Sequence, residues 1–382
     1  MITSCRVHVL VDYRPALRQP TGVGAYVHEL LRALLAPDGP LTEPGDRVSA
    51  FTSSWKDRPL PAARAELAGV SFVDRRLPVR LLTWSWHRLS WPTVEWLAGP
   101  ADVVHASSPL AIPTRRAARV ITIHDLHFLR HPERMSAEMR RDYPALVRTH
   151  ARAAHGVVVS SRYTAADVQD TLGVPAERIT ICPPGVPRWT SAVRALRTQS
   201  EPRHFLALGT LEPRKNLGVL LEAYALVRRC CPEAPPLVLA GQATPAARAW
   251  LQRADAPDLS GHVTCTGYVD DATRQQLLAA AHALVMPSLD EGFGLPALEA
   301  MASGVPVIVS SGGALPEVVG DAARPIDPTD VEGFADALCA VLQPSEAEAA
   351  AARGLTRAEA FDWSRSARHM WAGYRAALER AR

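Results

Sequence analysis

A chain of 382 residues is too long for one core of ordinary size, so two domains are expected. Hydrophobic residues make up 47% and charged residues 21%, the balance of a soluble globular protein. The net charge of +3, from 42 basic and 39 acidic residues, is too small for a nucleic-acid footprint and argues against that class of partner.

The N-terminus, MITSCRVHVLVD, runs directly into a strand pattern, without the charged start or apolar stretch of a signal peptide. No run of about 18 apolar residues is present, so no membrane span is expected. Strands are expected at 6–11, 47–52, 70–73, 102–106, 119–125, 156–161 and 178–185, with helices between most of them, including 24–35, 136–154 and 162–172. The strands are near-continuous apolar runs, as in parallel strands covered on both faces. The alternation weakens over 186–203. A second series follows, with strands at 205–209, 236–241, 262–267, 283–288, 305–310 and 323–327, and helices near 216–231, 244–255, 271–281, 295–303 and 330–342. The last segment, 345–382, is helical and rich in Ala and Arg. Strands alternating with helices give βαβ units and a doubly wound sheet. The expectation is α/β: two Rossmann-like domains, 1–188 and 204–360, facing each other across a cleft, with a linker over 189–203 and a final helix over 361–382.

Six cysteines, Cys5, Cys182, Cys230, Cys231, Cys265 and Cys339, form no C-x-x-C pair and no metal-type spacing, which reads as a reducing compartment.

Every loop that could carry chemistry follows an expected strand, where ligands bind in open α/β sheets. In GTLEPRKN (209–216), Arg214 and Lys215 stand between a strand and a helix start. Lys215 is one of only two lysines, the other being Lys56. Two cations beside a helix N-terminus make a site for a diphosphate. Alone they would read as a solvated turn; the neighbouring loops favour the site. Asn216 is expected to cap the helix. In PSLDEGFGLPALEAMASGVPVIVS (287–310), Glu291 and Glu299 are eight residues apart, with Gly292 and Gly294 beside the first and Pro296 in the first turn of a helix. Glycines let the backbone approach a ligand and present N–H groups. A carboxylate, with two acceptor oxygens, can take a pair of sugar or ribose hydroxyls.

In TIHDLHFLRHPE (122–133), His124 and Asp125 end an apolar strand; a metal site with His127 matches no common ligand spacing, and a lone His there is more often structural, the alternative being a histidine that hydrogen-bonds a sugar hydroxyl or lines the reaction centre. In RQPTGVGAYVHEL (18–30), Gly22 and Gly24 open a helix, but Val27 stands where a dinucleotide fingerprint needs its third glycine. Over 75–99, Trp84, Trp86, Trp91 and Trp96 mix with Arg75, Arg76, Arg80 and Arg88. Such a mixture reads first as a packed helix pair flanked by arginine and second as a face for an anionic membrane.

Together GTLEPRKN, PSLDEGFGLPALEAMASGVPVI, TIHDL and TGVGAYV resemble the retaining GT-B glycosyltransferases of family 4, especially the bacterial mannosyltransferase-like members, over essentially the whole chain. The resemblance implies a nucleotide-sugar donor. Arg214 and Lys215 would hold its pyrophosphate, Glu299 its ribose hydroxyls, and Glu291 would sit near the ring hydroxyls of the sugar. Amides around Gly292, Phe293, Gly294 and Leu295, and the Gly209–Thr210 turn, would meet sugar and phosphate oxygens. Tyr268 and Val269 would border the base, His124 would lie at the junction of sugar and acceptor, and Gly22 and Gly24 would meet phosphate or acceptor. The last helix, 361–382, would cross back onto the first domain, and one departure is Ala25, where many members have Arg. The resemblance further implies metal-independent transfer with no cofactor. GDP-mannose is the first donor expected and a UDP-sugar the next. The acceptor is a glycan, a lipid-linked glycan or a small molecule. A cytoplasmic location is expected, with peripheral contact at the inner face of the membrane as the second reading of 75–99. A non-catalytic sugar-nucleotide binder and an NAD-dependent oxidoreductase are the rival classes.

Overall fold

A computed structural model describes residues 6–17, 22–41, 45–132, 137–199 and 201–382, with the backbone alone over 137–141. Cys5, residues 18–21 of the first glycine loop and the expected helix start at 136 lie outside them. The chain divides into two compact units, Met1–Gly185 with Asp362–Arg382, and Val186–Phe361.

The first unit holds β1 (His8–Asp12), β2 (Arg47–Ser53), β3 (Ser71–Arg75), β4 (Val103–Ala106), β5 (Ala118–Ile123), β6 (Gly156–Val159) and β7 (Ile179–Ile181). They form one parallel sheet in the order β3-β2-β1-β4-β5-β6-β7. The second unit holds β8 (His204–Leu208), β9 (Leu237–Ala240), β10 (Val263–Gly267), β11 (Ala281–Met286) and β12 (Val307–Val309). These too are parallel, in the order β10-β9-β8-β11-β12. Every residue of β4, β6, β9 and β12 is buried, because crossover helices cover both faces. The edge strand β10, Val-Thr-Cys-Thr-Gly, is the exposed one and carries the polar residues.

In each sheet the strand order reverses once, between β1 and β4 and between β8 and β11. That switch point opens a crevice at the carboxyl ends of the two strands.

Two expectations need correction. The strand at 323–327 is a single bridge, Ser310 with Ile326. Pro325 and Pro328 flank Ile326 and have no N–H to extend a ladder. The segment 189–203 is not a bare linker: helix Thr190–Arg197 buries Val193 in the core of the second unit. The C-terminal segment is helical as expected, in two helices, Pro344–Ala358 and Trp363–Ala381. Asp362 starts the second by accepting from the Ser364 and Arg365 amides. This last helix buries Met370, Trp371 and Tyr374 in the core of the first unit, where Tyr374 Oη lies 2.7 Å from His105 Nδ1.

Candidate active site

In the second unit the switch point carries the charged loops. After β8 the chain turns through Gly209 and Thr210 into a short 3-10 turn, Pro213–Lys215, and then into helix Leu217–Cys230. After β11 it runs through Pro287–Gly294 into helix Leu295–Ala302. The two loops meet. Arg214 Nη1 donates to Glu291 Oε2 at 3.0 Å and Lys215 Nζ to Glu291 Oε1 at 2.6 Å. Ser288 Oγ adds a hydrogen bond to Glu291 Oε1 at 2.7 Å, and Leu289 N donates to Arg214 O at 2.8 Å. Glu212 accepts from the other side of Arg214 at 2.9 Å. Burial alone would push the Glu291 acid up, but Lys215, Arg214 and these hydrogen bonds overcome it and hold it below the ordinary value. Lys215 also lies along Gly209: a Cβ there would stand 3.3 Å from Lys215 Cε.

Asn216 occupies the cap position of helix Leu217–Cys230 but makes no side-chain cap bond. Its backbone is left-handed, with φ of 52°, and its Nδ2 donates to Pro287 O at 3.0 Å and Pro328 O at 2.6 Å. Asn thus ties three loops together instead of capping one helix, a conformation it tolerates better than most residues.

Glu291 leads into Gly292, Phe293 and Gly294, all buried, and Gly294 has φ of 99°. The amides of Leu295 and its neighbours open the helix that follows, a place suited to anions. The loop after β12 supports this turn and escaped the sequence reading. Ala314 N donates to Glu291 O at 2.8 Å, and a Cβ on Gly313 would lie 2.3 Å from Glu291 N. The only local signal was the Ser-Gly-Gly run at 311–313.

Glu299 is buried one turn into the same helix, apart from the cations that hold Glu291. Its partner is Arg274, on helix Asp271–Ala279, whose Nη1 lies 2.9 and 3.2 Å from the two carboxylate oxygens. Burial raises the Glu299 acid to about 7; Arg274 lowers it and Asp271 raises it. Val269 is partly buried and Tyr268 exposed at the end of β10. Thr210 is exposed beside Gly209.

In the first unit His124 follows β5. Its ring stands edge-on to Tyr26, 5.6 Å between centroids. Tyr26 lies on helix Val23–Leu34, which begins at Gly22 with φ of 53°. Gly24 lets that helix approach the turn after β1, since a Cβ would lie 2.6 Å from Pro15 O. Burial lowers the His124 imidazole to about 4, so it is neutral at pH 7, and its buried Nε2 has no hydrogen-bond partner among the described residues. His124, Asp125 and His127 do not converge as a metal site; no group of three or more such ligands occurs among the described residues.

Over 75–99 the helices Val79–Leu89 and Val94–Ala98 pack through Leu82, Trp86, Val94 and Leu97. Trp84, Trp91 and Trp96 instead are 55%, 59% and 70% exposed. No helix among the described residues is long and apolar enough to cross a membrane.

Residues 20–188 match the sequence family described as Glycosyltransferase Family 4, and residues 202–344 match Glycosyl transferases group 1. The O-antigen chain mannosyltransferase B of Escherichia coli is 33% identical over 276 residues, covering 69% of this chain and 71% of the relative. The chain belongs to glycosyltransferase family 4. The glycosyltransferase also shares its fold with solved structures. Sucrose-phosphate synthase from Thermosynechococcus elongatus superposes with a TM-score of 0.73 at 21% identity, covering 97% of this chain and 98% of that one. Anabaena HepE, in complex with UDP and glucose, gives 0.68 at 17% identity over 96% and 99%. Two parallel doubly wound sheets are the elements of the GT-B fold.

Proposed function

We propose that this glycosyltransferase moves a hexose from a nucleoside diphosphate sugar to an acceptor hydroxyl, with retention of configuration and without a metal or other cofactor. The observation that carries the reading is the convergence of Arg214 and Lys215 on Glu291 at the β8–β11 switch point. In this reading the two cations stabilise the diphosphate as its charge develops. The Gly292–Leu295 amides and the Gly209–Thr210 turn take sugar and phosphate oxygens. Glu299 takes the ribose diol, with Tyr268 and Val269 beside the base. Neutral His124 hydrogen-bonds a sugar or acceptor hydroxyl, and Gly22 and Gly24 border that region.

The Glu291 carboxylate is engaged by two cations and a hydroxyl, which makes it a poor nucleophile. Front-face transfer follows. The bond from the anomeric carbon to the diphosphate breaks and the bond to the acceptor oxygen forms on the same face. The acceptor proton passes to a donor phosphate oxygen.

GDP-mannose is the first donor proposed, supported by the mannosyltransferase relative. A UDP-sugar is the alternative, supported by the likeness to HepE with UDP bound. Thermal unfolding with GDP-mannose, GDP, UDP-sugars, UDP and NAD, each with and without EDTA, separates them. Ligand at a hundred times its dissociation constant adds about 2.7 kcal/mol, a shift of a few degrees. A shift with one nucleotide family, unchanged by EDTA, supports the proposal; a shift with NAD alone overturns it. Transfer to a glycan, lipid-linked or small-molecule acceptor, with product configuration read by NMR, distinguishes an enzyme from a binder and retention from inversion.

The acceptor side is proposed to meet an anionic lipid surface at the cytoplasmic face of a membrane. Nine of the twelve exposed large apolar side chains among the described residues fall between Trp55 and Trp96. That stretch holds seven Lys or Arg against four Asp or Glu. Exposed tryptophan among arginines suits the boundary between headgroups and acyl chains of anionic lipid. Co-sedimentation with phosphatidylglycerol vesicles should be strong, salt-sensitive and reduced in a Trp84→Ser/Trp96→Ser double variant. Equal affinity for phosphatidylcholine, or self-association without lipid, would refute it.

A further inference from the structure

Arg274 is built into its place by three groups. Its Nη2 lies 3.1 Å from Asp271 Oδ1 on the same helix, and its Nη1 reaches both oxygens of Glu299. Its Cζ stands 4.9 Å over the ring of Trp189, at the start of helix Thr190–Arg197. The charged groups that act on Glu299 are Arg274 and Asp271, both from helix Asp271–Ala279.

The hydrogen-bond count at the carboxylate is informative. An ionised carboxylate offers roughly four lone-pair sites. One guanidinium nitrogen shared between the two oxygens uses two, leaving one on each oxygen. Two hydroxyls of a ribose diol need two acceptors in that arrangement. A protonated acid would turn one oxygen into a donor and lose the match. A buried carboxylate without a counter-charge prefers that protonated form.

We infer that Arg274 is a positioning residue for donor binding: held by Asp271 and Trp189, it favours the ionised form of the Glu299 carboxylate and orients it toward the ribose diol of the nucleotide. This rests on the ribose role proposed above for Glu299. Arg274 itself need not touch the donor.

The test is equilibrium binding of GDP and UDP, with their 2′,3′-dideoxy analogues, to the full-length protein and to Arg274→Met, Arg274→Lys and Glu299→Gln. Thermal unfolding without ligand confirms that each variant is folded. Arg274→Met should bind the better nucleotide about tenfold more weakly at pH 7. Losing the cation raises the Glu299 acid further, so this variant should recover affinity between pH 7 and 9 more steeply than the native protein. Arg274→Lys should retain most of the affinity, and the dideoxy analogue should lose little more on Arg274→Met. The donor KM should rise while kcat at saturation stays within a few-fold, as expected for uniform binding.

If Glu299→Gln weakens binding and Arg274→Met matches the native protein at every pH, the Arg274 inference fails and the ribose reading stands. If Glu299→Gln and the dideoxy analogue bind as well as their parents, the ribose reading fails and the inference fails with it. If Arg274→Met binds weakly with a flat pH profile, Arg274 acts by another route and the inference is overturned.

Discussion

Glu291 and Glu299 are both buried, yet their acidities diverge because their counter-charges differ. Glu291 has Lys215, Arg214 and a serine hydroxyl and is held low. Glu299 has one arginine, opposed by Asp271, and rises to about 7. The same bookkeeping of charge predicts two variants. Lys215→Ala leaves Glu291 with Arg214 and Ser288, so the fold should persist while turnover drops by about 10²–10³-fold, as when one charge-stabilising donor is lost. Steady-state kinetics beside thermal unfolding will show it; full activity would remove Lys215 from the reaction. An Arg214→Ala/Lys215→Ala double variant strips a buried carboxylate of both cations and should lose about 3–5 kcal/mol, read by denaturant unfolding. Histidines set the response to acid. Burial lowers His105 to about 3 and His124 and His150 to about 4, from 6.5. Between those values the unfolded chain binds more protons, so their stability is present above pH 6.5 and lost as pH falls. Glu299 works oppositely, its native form binding more protons from 4.5 to about 7, so it costs stability as pH rises. Three groups outweigh one of similar shift, and the melting temperature should fall from pH 7 to pH 5; a rise on acidification would contradict this balance.

At the scale of elements, the loops after β8, β11 and β12 form one interlocked unit. Gly312 and Gly313 exist for close approach: a Cβ on Gly312 would lie 2.3 Å from Ser288 O, and one on Gly313 2.3 Å from Glu291 N. Gly313 also has φ of 63°. Gly261, with φ of 79° and open space around it, provides the control. Gly261→Ala should cost only the left-handed penalty of about 1–2 kcal/mol. Gly313→Ala should cost more, and should also lower donor affinity by displacing Glu291. Equal melting temperatures for the two variants would show that the loop yields freely. Much of the candidate site was legible in sequence where it is local: the Glu291–Glu299 interval, the glycines between and the adjacent Arg214 and Lys215. Arg274, Ser288 as a ligand of Glu291, and the support from Gly313 were not. Each of these contacts depends on which loops the sheet brings together, and no periodicity encodes that. Asn216 shows the same limit: its type is right for a cap, but two proline carbonyls from other loops claim its amide.

At the scale of the whole molecule, the last helix belongs to the first unit although it ends the chain. Its anchor is a buried chain in which His105 Nδ1 meets Tyr374 Oη at 2.7 Å and Nε2 meets Thr122 Oγ1 at 2.7 Å. Tyr374→Phe leaves the buried Nδ1 without that partner and should cost about 1–3 kcal/mol. The thermal shift given by a saturating nucleotide should be unchanged, because Arg214, Lys215 and Glu299, the groups proposed to hold the nucleotide, lie in the other unit; loss of that shift would contradict that proposal. By itself the sequence determined the α/β class, the two series of strands and the loops that carry charge. Buried parallel strands must be apolar throughout and their crossovers helical, and both patterns are local. It also overestimated order: 323–327 looked like a strand by apolarity, but flanking prolines leave one bridge. The tertiary structure alone decided which strands sit side by side, and so where each sheet switches direction. By pairing β8 with β11 it brings Arg214 and Lys215 within hydrogen-bond reach of a glutamate 77 and 76 residues further on. It also decided the ionisation of the two glutamates, since an acid's proton affinity depends on burial and on charges within a few ångströms, and those neighbours come from distant parts of the chain.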